Sequence, residues 1–271
     1  MYTVGIDLGT TNTVAASNAG VLPLRLEEGP TPILPSVVAY LPNGEIAVGE
    51  LARKHRERMV VVVQSYTRMA TLLRPSLELG LRKLGVEHAD FLLLGWWNEH
   101  PPERLMDAAR TLRERGRCGH VMISCHNRLA FEQYAKDPDL SAFMVRYNAS
   151  HPGAEQEVFP RLGADPPGIA VYTATRWGDL INPSLTPEGE QTPRASDCYR
   201  FALTHPSVQV CLAGVKDRSE LDEAMSALDR GPMSEDELAW MRRVGSAVKR
   251  HAQAHPGAVS VLDRVMGAHT T

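Results

Sequence analysis

The sequence predicts an α/β protein in which a β-hairpin-rich segment, to about residue 58, precedes six strand–helix units. Two observations carry this. First, apolar runs of three to five residues recur at 59–63, 91–94, 120–123, 143–145, 169–172 and 208–212. Such runs are continuous rather than alternating, as in strands buried on both faces of a parallel sheet. Second, amphipathic stretches lie between them and end at helix-stopping residues: 74–84 before Gly85, 103–115 before Gly116, and 195–204 before Pro206. Six such units suit a barrel or a doubly wound sheet.

Ahead of them the period is that of strands. Residues 2–7 alternate Val4 and Ile6 with Thr3, Gly5 and Asp7, Gly9 to Asn12 form a turn, and 13–17 read as a returning strand. Residues 37–41 and 45–48 flank Pro42, Asn43 and Gly44, and Asn-Gly supplies the positive φ angles of a tight hairpin. A basic helical stretch carrying Arg53, Lys54, Arg56 and Arg58 begins at Leu51. The expected division is 1–58, 59–250 and a tail at 251–271.

Composition narrows the function. The chain has 271 residues with 29 Lys+Arg against 32 Asp+Glu, 43% hydrophobic and 23% charged. That is too apolar for disorder, and the near-neutral balance argues for neither nucleic-acid nor membrane-surface binding. The first residues have no basic, then apolar, leader pattern, and no apolar run approaches the ~20 residues of a membrane helix. A cytoplasmic protein is expected. Cys118, Cys125, Cys198 and Cys211 are too few for a disulfide scaffold and form no CxxC, so reduced, partly buried thiols are expected and no metal site.

The sharpest motif is Gly5-Ile-Asp-Leu-Gly-Thr-Thr-Asn12. A strand delivers Asp7 to a turn whose N–H groups and hydroxyls suit a phosphate, and a carboxylate at a strand end suits hydrated Mg²⁺. A plain hairpin with a polar turn is the alternative. With TPILPSVVAY at 31–40, NGE at 43–45 and VGELARKH at 48–55, residues 2–55 resemble the start of the seventy-kilodalton heat-shock chaperones, actin-like ATPases. The resemblance implies that Gly9, Thr10, Thr11 and Asn12 form a first phosphate loop with Asp7 facing the metal. The catalytic lysine, second phosphate loop and adenosine motif of that family are not found, so competent ATP–Mg binding is not expected.

The second part, about residues 60–244, resembles the C-terminal three quarters of an aldo-keto reductase. The similarity lies in RPSLELGLRKLG at 74–85, HADFLLL at 88–94, YTATRWGDL at 172–180, HPSVQVCLAGVK at 205–216 with SELDE at 219–223, and PMSEDEL at 232–238. In the last, Ser234 and Glu237 form a capping box. The implied architecture is an incomplete TIM (β/α)8-type barrel of about six βα units. The implied chemistry is carbonyl reduction by NADP or NAD, with tyrosine, lysine, aspartate and histidine forming the proton relay. The units bearing the aspartate and tyrosine are missing, the lysine position falls within Val63-Gln64-Ser65-Tyr66, and Gly95 follows Leu94 where the histidine is expected. A glutamine cannot stabilise a tyrosinate.

Cofactor contacts carry over in part. Ser124 matches the carboxamide-binding serine, but Cys125 replaces the asparagine, and Met144 or Arg146 stands for the glutamine before Tyr147. Tyr172 suits stacking on nicotinamide, or else fills the barrel mouth. Gly214, Lys216 and Arg218 correspond to the phosphate grip, or to a solvated loop, and Glu223 to the adenine-side acid. Trp96 and Trp97 are candidate pocket walls or packing residues. His100 and His126 are candidate acids or surface-loop histidines, and Tyr66 a displaced acid lacking a lysine.

The expectation is an aldo-keto-reductase-like protein binding a nicotinamide dinucleotide, with reduction of a small carbonyl substrate weak or lost. A nucleotide-binding chaperone-like module and a non-catalytic fusion product are the alternatives. An incomplete barrel leaves two strand edges, so the N-terminal strands cover the gap or the chain forms a homodimer.

Overall fold

A computed structural model describes residues 5–6, 14–17, 56–215 and 218–255. In chain order the elements are β1 (Gly5–Ile6), β2 (Val14–Ser17), β3 (Val60–Ser65), α1 (Ala70–Leu84), β4 (Ala89–Leu94), α2 (Glu103–Glu114), β5 (Cys118–Ser124), α3 (Ala130–Tyr134), β6 (Leu140–Arg146), α4 (Ala154–Glu157), β7 (Gly168–Tyr172), α5 (Ala195–Thr204), β8 (Val210–Ala213), α6 (Arg218–Arg230) and α7 (Glu235–Ala254). Short 3₁₀ turns lie at Arg56–Arg58, Phe159–Arg161, Asp179–Ile181 and Pro183–Leu185.

Strands β3 to β8 are parallel neighbours in sequence order, and the sheet curls into an incomplete TIM barrel. The expected hairpin at its start does not pair. Instead β1 adds in parallel to β3, with Gly5 opposite Val60, and β2 runs antiparallel to β8, with Val14 opposite Ala213. Each therefore satisfies one open edge of the six-stranded sheet, a stronger demand than pairing with each other, because an unpaired ladder edge leaves a row of N–H and C=O groups bare. The hairpin expected at 37–48, the phosphate-loop residues Asp7, Gly9, Thr10, Thr11 and Asn12, and Lys216 lie outside the described residues.

Alternation along the strands makes two apolar layers. Val61, Val63, Leu92, Leu94, Val121, Ile123, Phe143, Val145, Ile169, Val171 and Cys211 pack outward against helical residues such as Leu77, Leu81, Leu105, Ala109, Phe131 and Phe201. Val62, Leu93, Met122, Ala142, Met144, Ala170 and Leu212, at least one from each of the six strands, form a separate inner cluster without helix residues. This is the filled lumen of a barrel sheet.

The helix signals act largely as the sequence predicts. Gly85 closes α1 at φ 66, the left-handed conformation a C-terminal glycine permits, and Ser234 and Glu237 exchange capping-box bonds at the start of α7. Helix α1 starts at Ala70, earlier than expected, and carries Pro75 within it. Near the C-terminal units, buried Arg200 donates to Glu237 at 2.6 and 2.9 Å and to the carbonyls of Gly231 and Pro232, tying α5 to α7. These bonds pull the Glu237 carboxyl down to about 2. The four cysteines are reduced and buried, and burial raises Cys118 and Cys125 to about 11. Among the described residues no helix is long and apolar enough to cross a membrane.

Candidate functional site

In a parallel barrel the C-terminal strand ends form the ligand-binding mouth. Counting two residues on from the inner layer brings Gln64, Gly95, Ser124, Arg146, Tyr172 and Gly214 to that end. Three of the expected cofactor residues, Ser124, Tyr172 and Gly214, are therefore brought together by register alone. Tyr172 packs on the inner cluster and Ser124 is buried, whereas Gly214 is exposed at the start of the loop after β8. Glu223 lies on α6 with its carboxylate engaged: Oε1 accepts from Ser196 Oγ at 2.6 Å and Oε2 from Arg194.

The loop after β4 is fixed against this mouth. Ser124 Oγ accepts the Trp96 amide at 3.0 Å, and the Ser124 carbonyl accepts that of Trp97 at 2.9 Å. Arg68 donates to the carbonyls of Gly95, at 2.9 Å, and Trp96, while its guanidinium lies 4.2 Å from the centre of the Trp97 ring. Trp96 is held at φ 58, and Thr173, Arg176 and Trp177 after β7 also have positive φ, the only non-glycine examples among the described residues. Left-handed backbone at bulky residues costs energy and concentrates at ligand sites. The two tryptophans divide as wall and core: Trp97 is 8% exposed within the outer layer, whereas Trp96 is 37% exposed at the mouth.

Where the resemblance implies a histidine, Gly95 carries the ring of Tyr66 instead. A Cβ at Gly95 would sit 2.6 Å from Tyr66 Cδ1 and 2.8 Å from Gln64 Nε2. The Tyr66 hydroxyl donates to Gln64 Oε1 at 2.9 Å, and its ring lies 5.1 Å from that of Trp96. Both implied relay positions are thus occupied by a neutral Gln–Tyr pair.

The two candidate histidines separate. His100 is tied to Asp137 at 2.8 Å beside Tyr134. His126, on the loop after β5, is half-buried rather than a plain surface histidine. Its ring is 5.8 Å from Trp96, and its Nδ1 is 3.4 Å from the Tyr172 hydroxyl. Burial, then the Arg146 charge, lowers His126 to about 4, so it is neutral at ordinary pH; burial also raises the Tyr172 phenol, which keeps its proton. Sequence spacing gave no sign of this pair, since Tyr172 lies 46 residues away. Cys125 turns outward, its Sγ donating to the Asn127 carbonyl at 3.0 Å.

The comparisons with known proteins follow the same division. By fold, the described barrel is that of the aldo-keto reductases. The aldo-keto reductase AKR11C1 from Bacillus halodurans matches with a TM-score of 0.64 at 16% identity, over 74% of this chain and 76% of that one. An aldo/keto reductase from Klebsiella pneumoniae, solved in complex with NADP and acetate, matches at 0.63 and 20% identity, over 73% and 74%. At such identities the likeness is one of fold. The N-terminus instead matches curated HscA chaperone homologues, 44% identical over 54 residues in Methylobacillus flagellatus and 52% over 52 in Azotobacter vinelandii. The chain spans less than a tenth of those relatives' length, 9% and 8%. No family model matches the chain.

Proposed function

We propose that the protein is an oxidoreductase-like barrel that binds a nicotinamide dinucleotide, NADP or NAD, and reduces carbonyl compounds weakly or not at all. The observation that carries the reading is the convergence of Ser124, Tyr172 and Gly214 at one barrel mouth, beside relay positions held by Gln64 and Gly95. Ser124 spends only its lone pair on the Trp96 amide, leaving its O–H to donate, and Tyr172 offers an aromatic face at the lumen. The residues present therefore suit the planar ring of the cofactor, and complexes with NADP and NADPH among the structural neighbours support the same class of ligand.

In this reading Ser124 and Tyr172 hold the nicotinamide end, and Gly214, Lys216 and Arg218 hold the phosphates. Glu223 braces the adenine side through Ser196 and Arg194. The cofactor would supply hydride. The chain's own contribution to proton transfer is weak: the Tyr66 phenol donates to a neutral amide, which does nothing to acidify it.

Fluorescence titration with NADPH tests this. Saturable binding that Lys216→Ala weakens is expected; no binding by the wild-type chain overturns the reading, and unchanged affinity in Lys216→Ala overturns the phosphate assignment.

A further inference from the structure

His126 carries an orphaned polar atom. Its Nε2 is shielded from solvent and has no hydrogen-bond partner among the described residues. A buried polar atom left unpaired costs free energy, typically ~1–3 kcal/mol, and calls for a reason. The Tyr172 hydroxyl lies 3.4 Å from His126 Nδ1. With the phenol as donor Nδ1 accepts, and in a neutral imidazole the ring proton then resides on Nε2. In that arrangement the orphan is a donor, and the nearby positive charge of Arg146 strengthens the local preference for an electron-rich oxygen.

Two further features point to a ligand. The Cys125 side chain, at the position where the resemblance places a carboxamide-binding asparagine, turns into the outer layer, so the mouth lacks that polar group. Trp96 packs against His126, ring centres 5.8 Å apart, while 37% exposed on strained backbone.

We propose that the His126 Nε2–H is a binding donor for a planar carbonyl oxygen entering the mouth, that Tyr172 orients it through Nδ1, and that the Trp96 ring is displaced on entry. The inference rests on the dinucleotide reading in one respect, that the oxygen belongs to the nicotinamide carboxamide. Ser124 and His126 then replace the serine–asparagine pair that the resemblance leads one to expect.

The test uses the full chain, NADPH, and adenosine 2′,5′-bisphosphate, which has no nicotinamide. Calorimetry should show His126→Phe weakening NADPH ~10-fold, the equivalent of one hydrogen bond, with bisphosphate affinity unchanged. Equal NADPH affinity in wild type and variant overturns the proposal. Imidazole nitrogen NMR of the wild type reads the same bond without substitution: the Nε2–H tautomer is expected, and millimolar nicotinamide should shift Nε2. An Nδ1–H tautomer, or no shift, overturns the proposal. If neither NADPH nor the bisphosphate binds while nicotinamide still shifts Nε2, the dinucleotide reading fails and the donor site stands.

Discussion

The ring of Tyr66 lies across Gly95, closing the space in which a side chain after β4 would have to sit. The contact is with a side chain that is 50% exposed, so it can yield. Gly95→Ala is therefore expected to cost below about 1 kcal/mol while driving Tyr66 off Trp96. Urea unfolding gives the first quantity and tryptophan fluorescence the second, and in a Tyr66→Ala background the cost of Gly95→Ala should fall, leaving only the contact with Gln64 Nε2.

Gly245 presents the opposite case. A Cβ there would stand 2.2 Å from the Ala149 carbonyl oxygen and 2.8 Å from the Ser150 nitrogen, both backbone atoms. Helix α7 packs on the loop after β6 at this point, and that loop is pinned by Asn148, whose Oδ1 accepts from Ser150 and His151 and whose Nδ2 donates to Thr173. Since nothing there can rotate away, Gly245→Ala is expected to cost about 2–3 kcal/mol and lower Tm by roughly 5–10 °C.

Acid should destabilise the fold early. Burial and neighbouring cations hold His126 at about 4 and His151 at about 3, the latter through burial first and then Arg146, Arg176, Lys249 and Arg128. Both lie below the ~6.5 of an unfolded imidazole. The unfolded chain thus binds more protons below that pH, and stability that is full above ~6.5 is lost as pH falls toward 4 and then 3. The loss is at most ~1.4 kcal/mol per pH unit for each ring. Glu237, depressed to about 2, adds a loss only further down, as pH falls through the carboxylate range. Urea midpoints measured from pH 7 to pH 4 should fall steadily, and more gently in His151→Gln; a flat profile down to pH 5 would contradict these assignments.

The two N-terminal strands should be structural. With β1 on β3 and β2 on β8, deleting residues 1–55 bares both ladders. Light scattering is expected to show self-association of the truncated chain beside a monodisperse full-length one. A truncated chain that stays folded and monomeric would show that the edges need no cover.

Much of this was legible in the sequence because it is local. Continuous apolar runs located all six parallel strands, and Gly85 and the Ser234–Glu237 box located helix ends, whereas Ser124, Tyr172 and Gly214 were singled out only through the resemblance, and the strand register that brings them to one mouth is seen in the structure. What was not legible depends on distant partners. Residues 13–17 have the pattern of a hairpin return, but their partner is β8, nearly two hundred residues away, because an open edge competes with the local turn. His126 looked like a surface-loop residue because the groups it meets, Trp96 on the loop after β4 and Tyr172 at the end of β7, are distant in sequence. The Tyr66–Gly95 contact had a trace in the sequence, a glycine where the resemblance implies a histidine, but only the structure shows what fills the space.

The most direct measurement is NADPH binding and turnover on one sample of the full chain: titration by fluorescence, then decay of the reduced nicotinamide with a panel of small aldehydes and ketones at saturating NADPH. The expected result, on the proposed reading of Gln64 and the Tyr66-covered Gly95, is saturable binding with little or no carbonyl-dependent oxidation. Absence of binding, or turnover at the 1–1,000 per second of an ordinary enzyme, would contradict it.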